Sequence, residues 1–131
     1  MHSSRNLPRV SIIMNCFNGQ KFLRQSLDSI IKQTFTDWEL IFWDVSISDK
    51  SKKILESYYE KRFKYFNTGI KKNLYHSRNE AIEVSSGEII CFLDCDDWWH
   101  PEKLKKQIKL FDDNSVAMVY SNYIEHYQNK N

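Results

Sequence analysis

Short apolar segments alternating with amphipathic ones constrain this chain more than any other feature. Val10 to Cys16 is an apolar run broken only by Ser11 and Asn15. Trp38 to Val45 is a second, interrupted by Glu39 and carrying Asp44 near its end. Phe63 to Asn67 is a weaker third, Glu88 to Asp94 is a fourth with five consecutive apolar residues, and Val116 to Tyr120 starts a fifth. Their β-branched and aromatic content suits strands. Between them, Phe22, Leu23, Ser26, Leu27, Ile30 and Ile31 recur at helical spacing, as do Ile54, Leu55, Tyr58 and Tyr59, then Ala81, Ile82 and Val84, and last Leu104, Ile108 and Phe111. Strands with so little polar alternation are covered on both faces, which a parallel sheet between helices provides. The expected order is β-α-β-α-β-α-β-α-β, an α/β fold with three layers.

Local punctuation agrees. Asn18-Gly19 breaks the first run, Asp49 or Ser51 is placed to cap the second helix, and Pro101 suits the first turn of the fourth. The third helix is expected over residues 76 to 86, with Gly87 in the C′ position that glycine favours. No linker or repeat divides the 131 residues, so a single domain is expected over 1–131, with flexible ends at 1–8 and 127–131.

Composition removes several classes. Hydrophobic residues are 41% and charged residues 27%, a globular balance rather than a disordered one. A net charge of +2 gives no case for nucleic acid. No apolar run approaches the ~18 residues a membrane span needs, and residues 1 to 9 lack the apolar stretch of a secretory signal. Cys16, Cys91 and Cys95 are not at metal-ligand spacing and read as small apolar residues in a reducing compartment, so a cytoplasmic location is expected.

In open parallel sheets, ligands bind outside the carboxyl ends of the strands. That rule selects Asn15 to Gly19, Asp44 to Asp49 and Asp94 to Asp97. The last is an acidic turn, Asp94-Cys95-Asp96-Asp97, at the end of the most apolar run. Carboxylates crowded together in a cleft either rise in pKa or recruit a cation. Hard divalent ions are held by one or two carboxylates plus phosphate oxygens. A solvated turn in which Asp97 caps the next helix is the alternative, and spacing alone leaves both open.

The segments Val10 to Gly19, Ser29 to Ile41, and Ser86 to Asp97 through Pro101 to Leu104 resemble the family 2 glycosyltransferases, over about Pro8 to Tyr123. These are inverting enzymes of the GT-A fold that use nucleotide-diphospho-sugar donors. The resemblance implies a Rossmann-like GT-A sheet, truncated relative to the family's domain, and comprising its donor-binding half. It implies that Asp94-Cys95-Asp96 is the family's DxD motif, with Asp96 on a divalent metal (Mn²⁺ or Mg²⁺) and Asp94 toward the ribose or the metal's surroundings. Phe17 matches an aromatic lying against the base, Asn18 follows as it usually does, Asp44 matches the first of two acids after the second strand, and Arg78 matches a basic position near the nucleotide. A UDP-sugar is favoured as donor, with a saccharide or lipid-linked acceptor.

Departures accompany the likeness. Val45 stands where the family's second acid reads the base edge, and Ser46 replaces the following glycine. Asn15 stands where Pro or Thr is frequent, and Leu74-Tyr75-His76 replaces a glycine-containing loop. The catalytic base of the family is expected beyond Asn131, so these residues alone are expected to bind nucleotide without useful transfer. Apolar surface left bare predicts self-association as a homodimer. Lys103, Lys105, Lys106 and Lys109 read as a solvated helix face, with attraction to the inner membrane surface as the second reading. Trp98 and Trp99 read as packing, and His76 and His100 as solvated or core residues.

Two other functions fit less well. A phosphoacceptor receiver domain needs acids after its first strand, where this chain has Asn15-Cys16-Phe17, and a lysine after its fifth. P-loop and GxGxxG signatures are absent. A non-catalytic nucleotide-binding scaffold remains, kept open by Val45.

Overall fold

The computed structural model describes residues 6–70 and 72–127. The flexible ends expected at 1–8 and 127–131 fall mostly outside them. Four strands, β1 (Val10–Cys16), β2 (Trp38–Asp44), β3 (Phe63–Asn67) and β4 (Ile89–Phe92), form one sheet in the order β3-β2-β1-β4, with every pairing parallel. Four helices connect and flank them: α1 (Gln20–Ile31), α2 (Lys50–Glu56), α3 (Leu74–Glu83) and α4 (Lys103–Ile108), the last running into a 3-10 turn at Lys109–Asp112. The chain steps from β1 outward to β3, then returns to the other side of β1. The switch point in strand order therefore lies between β1 and β4.

Side-chain alternation along β1 and β2 builds two cores. Val10, Ile12, Met14 and Cys16 of β1 and Trp38, Leu40 and Phe42 of β2 face Leu23, Leu27 and Ile30 of α1, Leu55 of α2, and Leu104 and Ile108 of α4. Ile13, Ile41, Trp43 and Val45 face Ala81 of α3 on the opposite side. That is the three-layer arrangement the patterning implied. Each fully buried Leu, Ile or Phe contributes roughly 1.5–3 kcal/mol, so the double-faced burial of β1 and β2 dominates stability. In α1 the buried stripe is Leu23, Ser26, Leu27 and Ile30; Ile31 turns outward at 38% exposure.

At the amino ends of the strands, a buried carboxylate organises the α3 face. Glu39 Oε1 accepts from Ser11 Oγ at 2.6 Å, Ser86 N at 2.7 Å and Ser86 Oγ at 2.9 Å, while Oε2 pairs with Lys64 Nζ. Burial pushes this carboxyl up, but Lys64, Ser11 and Ser86 outweigh it and hold it below the usual carboxylate value.

Several expectations need correcting. α3 begins at Leu74, where Asn73 Oδ1 accepts from His76 N at 2.9 Å, and it ends at Glu83, so Gly87 is not its C′ residue. Gly87 serves close packing instead: a Cβ there would lie 2.5 Å from Ser11 N, and its own N–H donates to Ser11 Oγ at 2.8 Å. Asp49 does stand at the N-cap of α2, but its side chain makes no capping hydrogen bond and pairs with Lys53, while the buried Ser51 meets Cys16 Sγ at 3.5 Å. The most apolar run forms β4, a half-buried edge strand, because α3 and β1 cover only part of it. Residues 116–120 form no strand. With Met118 79% and Tyr120 88% exposed, the segment buries too little to offset the cost of ordering it.

Candidate functional site

The acidic turn lies beside the switch point, and its shape is fixed by bonds the sequence hid. Asp97 N donates to Asp94 O at 3.1 Å and closes the turn. The buried hydroxyl of Ser26, in the middle of α1's apolar stripe, lies 3.0 Å from Cys95 O and also reaches Asp97 O. Gln33, at the end of α1, holds the following segment by donating Nε2 to His100 O at 2.9 Å and accepting from Leu104 N at 3.1 Å. Ser26 and Gln33 are positioning residues that the sequence reading did not single out as functional. The signal available was a polar residue at a buried position of an apolar stripe. We expect Ser26→Ala to cost about 1–2 kcal/mol in urea unfolding and to speed amide exchange at residues 95 to 97. Unchanged exchange there would show that Ser26 does not anchor the turn.

Asp94, Asp96 and Asp97 are all exposed at the cleft, yet they act on one another. Burial raises the Asp97 carboxyl, and the charges of Asp96 and Asp94 raise it further. This like-charge crowding is one of the two outcomes the spacing implied, and it is the environment in which a cation binds. Asp94 has already found a positive partner: Arg78 Nη2 donates to its Oδ1 at 3.0 Å, with the guanidinium 5.2 Å from the Phe92 ring centre. Arg78, Asp94 and Asp96 line a cleft of about 1240 Å³ together with Trp98, Trp99 and residues 121–127.

The other candidates stand apart from that lining. Phe17 and Asn18 follow β1 and Asp44 ends β2, so they border the carboxyl edge of the sheet without lining the cleft. Phe17 is 47% exposed, an unusual state for a large ring at the end of a buried strand. Asn18 has φ +52°, a left-handed backbone that asparagine tolerates better than most residues, and its N–H donates to Ser46 Oγ at 2.8 Å. Asp44 is fully buried; its Oδ1 accepts from Ser46 N at 2.8 Å and its Oδ2 from Tyr65 Oη at 3.1 Å. It shapes the loop after β2, and both oxygens are engaged inside the protein.

The two tryptophans part ways. Trp99 packs in the core beneath Lys103, whose Nζ is 4.5 Å from the ring centre, so Lys103 is half-buried rather than part of a solvated face. Burial lowers its pKa. Trp98 is exposed in the cleft against His126. His76 pairs with Glu80, and His100 Nδ1 accepts from Glu102 N. Beside the acids, hydrogen bonds from Cys95 and Ser51 bring the Cys16 thiol down to about 7.

The donor set fits a divalent cation only in part. No three acidic, histidine or cysteine side chains converge on one point among the described residues. Two adjacent carboxylates with hard oxygen donors remain, a partial shell of the kind that diphosphate oxygens complete for Mg²⁺ or Mn²⁺.

The chain resembles known proteins in sequence and in fold. The sequence model of Glycosyl transferase family 2 matches residues 11–131. The chain is 37% identical over 115 residues to the UDP-Glc:alpha-D-GlcNAc-diphosphoundecaprenol beta-1,3-glucosyltransferase WfgD of Escherichia coli, covering 87% of this chain and 45% of that protein. It is 31% identical over 114 residues to WfaP, a second Escherichia coli protein of the same description, with 87% and 45% covered. The chain thus spans about half the length of the curated relatives it matches. S. aureus TarS 1-349 in complex with UDP-GlcNAc superposes with a TM-score of 0.71 at 27% identity, covering 81% of this chain and 31% of that one. The mannosyltransferase PcManGT from Pyrobaculum calidifontis, in complex with GDP-Man and Mn²⁺, superposes with a TM-score of 0.75, covering 84% of this chain and 34% of that one; at 21% identity the likeness speaks to the fold.

Proposed function

The chain belongs to glycosyl transferase family 2, and we propose that the cleft at its strand ends binds a nucleotide-diphospho-sugar donor for transfer to a saccharide or lipid-linked acceptor with inversion. The observation that carries this reading is the crowded acidic turn beside the switch point, with Arg78 drawn into it. Asp96 and Asp94 would hold Mn²⁺ or Mg²⁺ against the diphosphate. The bound cation supplies Lewis-acid stabilisation of the departing nucleoside diphosphate. Arg78 is placed to exchange Asp94 for a phosphate oxygen, because guanidinium binds both anions in the same planar fashion. Phe17 lies outside the cleft lining at the carboxyl end of β1, and its half-exposed ring would meet the base where the nucleotide extends past the cleft toward β1.

UDP is the favoured nucleotide, and the E. coli relatives named for UDP-Glc and a diphosphoundecaprenol acceptor support both donor and acceptor class. The exposed Lys105, Lys106 and Lys109 lie on one helix and its 3-10 extension, a surface suited to the cytoplasmic membrane face where a lipid-linked acceptor would be met. No helix among the described residues is long and apolar enough to cross a membrane. Self-association as a homodimer belongs to the same proposal.

Calorimetric titration with UDP in the presence of Mn²⁺ tests the reading. We expect saturable heat that disappears with EDTA, and tighter binding at pH 8 than at pH 5, because a cation favours the ionised form of Asp97 and protonation removes that attraction. No heat with UDP, GDP or CDP, metal present, would remove it. A second reading, nucleotide binding without transfer, is favoured by Val45: an isopropyl group cannot accept a base N–H. Loss of UDP-over-CDP preference together with absent donor turnover would select it.

A further inference from the structure

Two of the cysteines meet at the switch point, where a sequence count had treated them as unrelated apolar residues. The β1–β4 register runs from Val10↔Ile89 to Ile13↔Phe92, and pairing continues as Leu93 N donates to Ile13 O at 3.1 Å. There β4 ends, and the turn that follows brings Cys95 to the end of β1, where Cys16 lies. Both pack on the α1 side of the sheet. Gly19 makes the room: a methyl group there would lie 2.3 Å from Cys95 Sγ and 3.1 Å from Cys16 Sγ. Both sulfurs therefore crowd the space that one methyl group on Gly19 would fill.

We propose that Cys16 and Cys95 form a redox modification site, closing to a disulfide that ties the acidic turn to the end of β1 and weakens the metal–nucleotide site. The control it exerts rests on the donor-binding function; the pairing does not. A hydroperoxide of the hydrogen peroxide class is the oxidant. It converts one of the two thiols to a sulfenic acid, releasing one water. The other sulfur then attacks that sulfur, the S–O bond breaks, and a second water leaves. Two thiols lose two electrons and two protons, and the peroxide O–O bond is reduced.

The consequence follows from position. Cys95 lies between Asp94 and Asp96, one peptide from each. Drawing its sulfur to the ~2.05 Å of a covalent bond rotates that segment against the Ser26 anchor and the Arg78–Asp94 pair. The two carboxylates that flank Cys95 then shift relative to each other and to Arg78. Cys91 is the internal control: it packs against the same core, away from the pair, and burial raises its thiol.

The experiment exposes the reduced protein to hydrogen peroxide, blocks remaining thiols under denaturing conditions, and maps peptides by mass spectrometry. We expect a Cys16–Cys95 linkage with Cys91 blocked as a free thiol, retained in Cys91→Ser and abolished in Cys16→Ser. Linkages through Cys91, or separate oxidation of Cys16 and Cys95 without a bridge, overturn the proposal. In the linked protein, UDP affinity measured with Mn²⁺ should fall at least about fivefold and recover with dithiothreitol; unchanged affinity overturns the control over the site. Because the mapping needs no nucleotide, a reduced protein that binds no UDP would strike the donor-binding function and leave the pairing to be decided by the peptides.

Discussion

Replacing Asp96 by asparagine is expected to weaken UDP binding in the presence of Mn²⁺ by at least about 100-fold, close to 2.7 kcal/mol, while leaving the fold intact. Asp96 is exposed in the acidic turn, and no hydrogen bond that shapes the turn uses its side chain: the turn is closed by Asp97 N to Asp94 O and anchored by Ser26. An amide keeps the size and loses the charge, so the variant isolates electrostatics from packing. Thermal stability should stay level or rise slightly, because Asp96 is one of the two charges that push the Asp97 carboxyl up. Asp112→Asn, an exposed acid in the 3-10 turn, is the matched control and should bind UDP as the parent does. The weak affinity measured without metal should be the same in parent and Asp96→Asn. If both proteins bind UDP equally well with Mn²⁺ present, the acidic turn is not a cation site.

Glu39→Ala is expected to be the most damaging change at a polar position, lowering the free energy of unfolding by about 3 kcal/mol or more. The residue is 3% exposed and accepts from Ser11, both donors of Ser86, and Lys64. Alanine leaves the fully buried Ser11 hydroxyl and the half-buried Ser86 donors without their acceptor, and the uncompensated desolvation exceeds the worth of any one bond. Glu39→Gln should cost less, since its amide oxygen still accepts from the serines. The carboxyl's pKa is held below its unfolded value, which fixes the sign of the pH dependence. Its stabilisation is complete above the unfolded glutamate value of ~4.3 and is lost as pH falls through the lower folded value. Urea midpoints between pH 7 and pH 3 should therefore drop more steeply for the parent than for Glu39→Ala, with m unchanged at pH 7. Parallel pH profiles would show that the carboxylate is not the linked group.

Much of the fold was legible because β1 and β2 are buried on both faces. A strand in that position can carry almost no polar residue, so its sequence is close to a description of its environment, and their starts at Val10 and Trp38 were read correctly. β4 illustrates the reverse. Its residues are more apolar than its half-exposed edge position needs, so hydrophobicity overstated its burial. Val116 to Tyr120 had strand-like content too, but a strand forms only where an edge is available and burial rewards it, and neither fact is local. Gly87 looked like a helix terminator and is a contact point with the backbone of Ser11, a role that depends on a strand 76 positions away.

The candidate site divides along the same line. By itself, the sequence determined the alternating α/β plan, the three strand ends worth inspecting, and the acidic turn, because periodicity and charge crowding are properties of neighbours along the chain. Tertiary structure alone decided that Arg78 reaches Asp94, that Asp44 is spent on Ser46 and Tyr65, that Ser26 holds the turn, and that Cys16 faces Cys95 across Gly19. The physical reason is distance along the chain. Each of those contacts joins separate elements, and which elements become neighbours is set by the order in which strands enter the sheet.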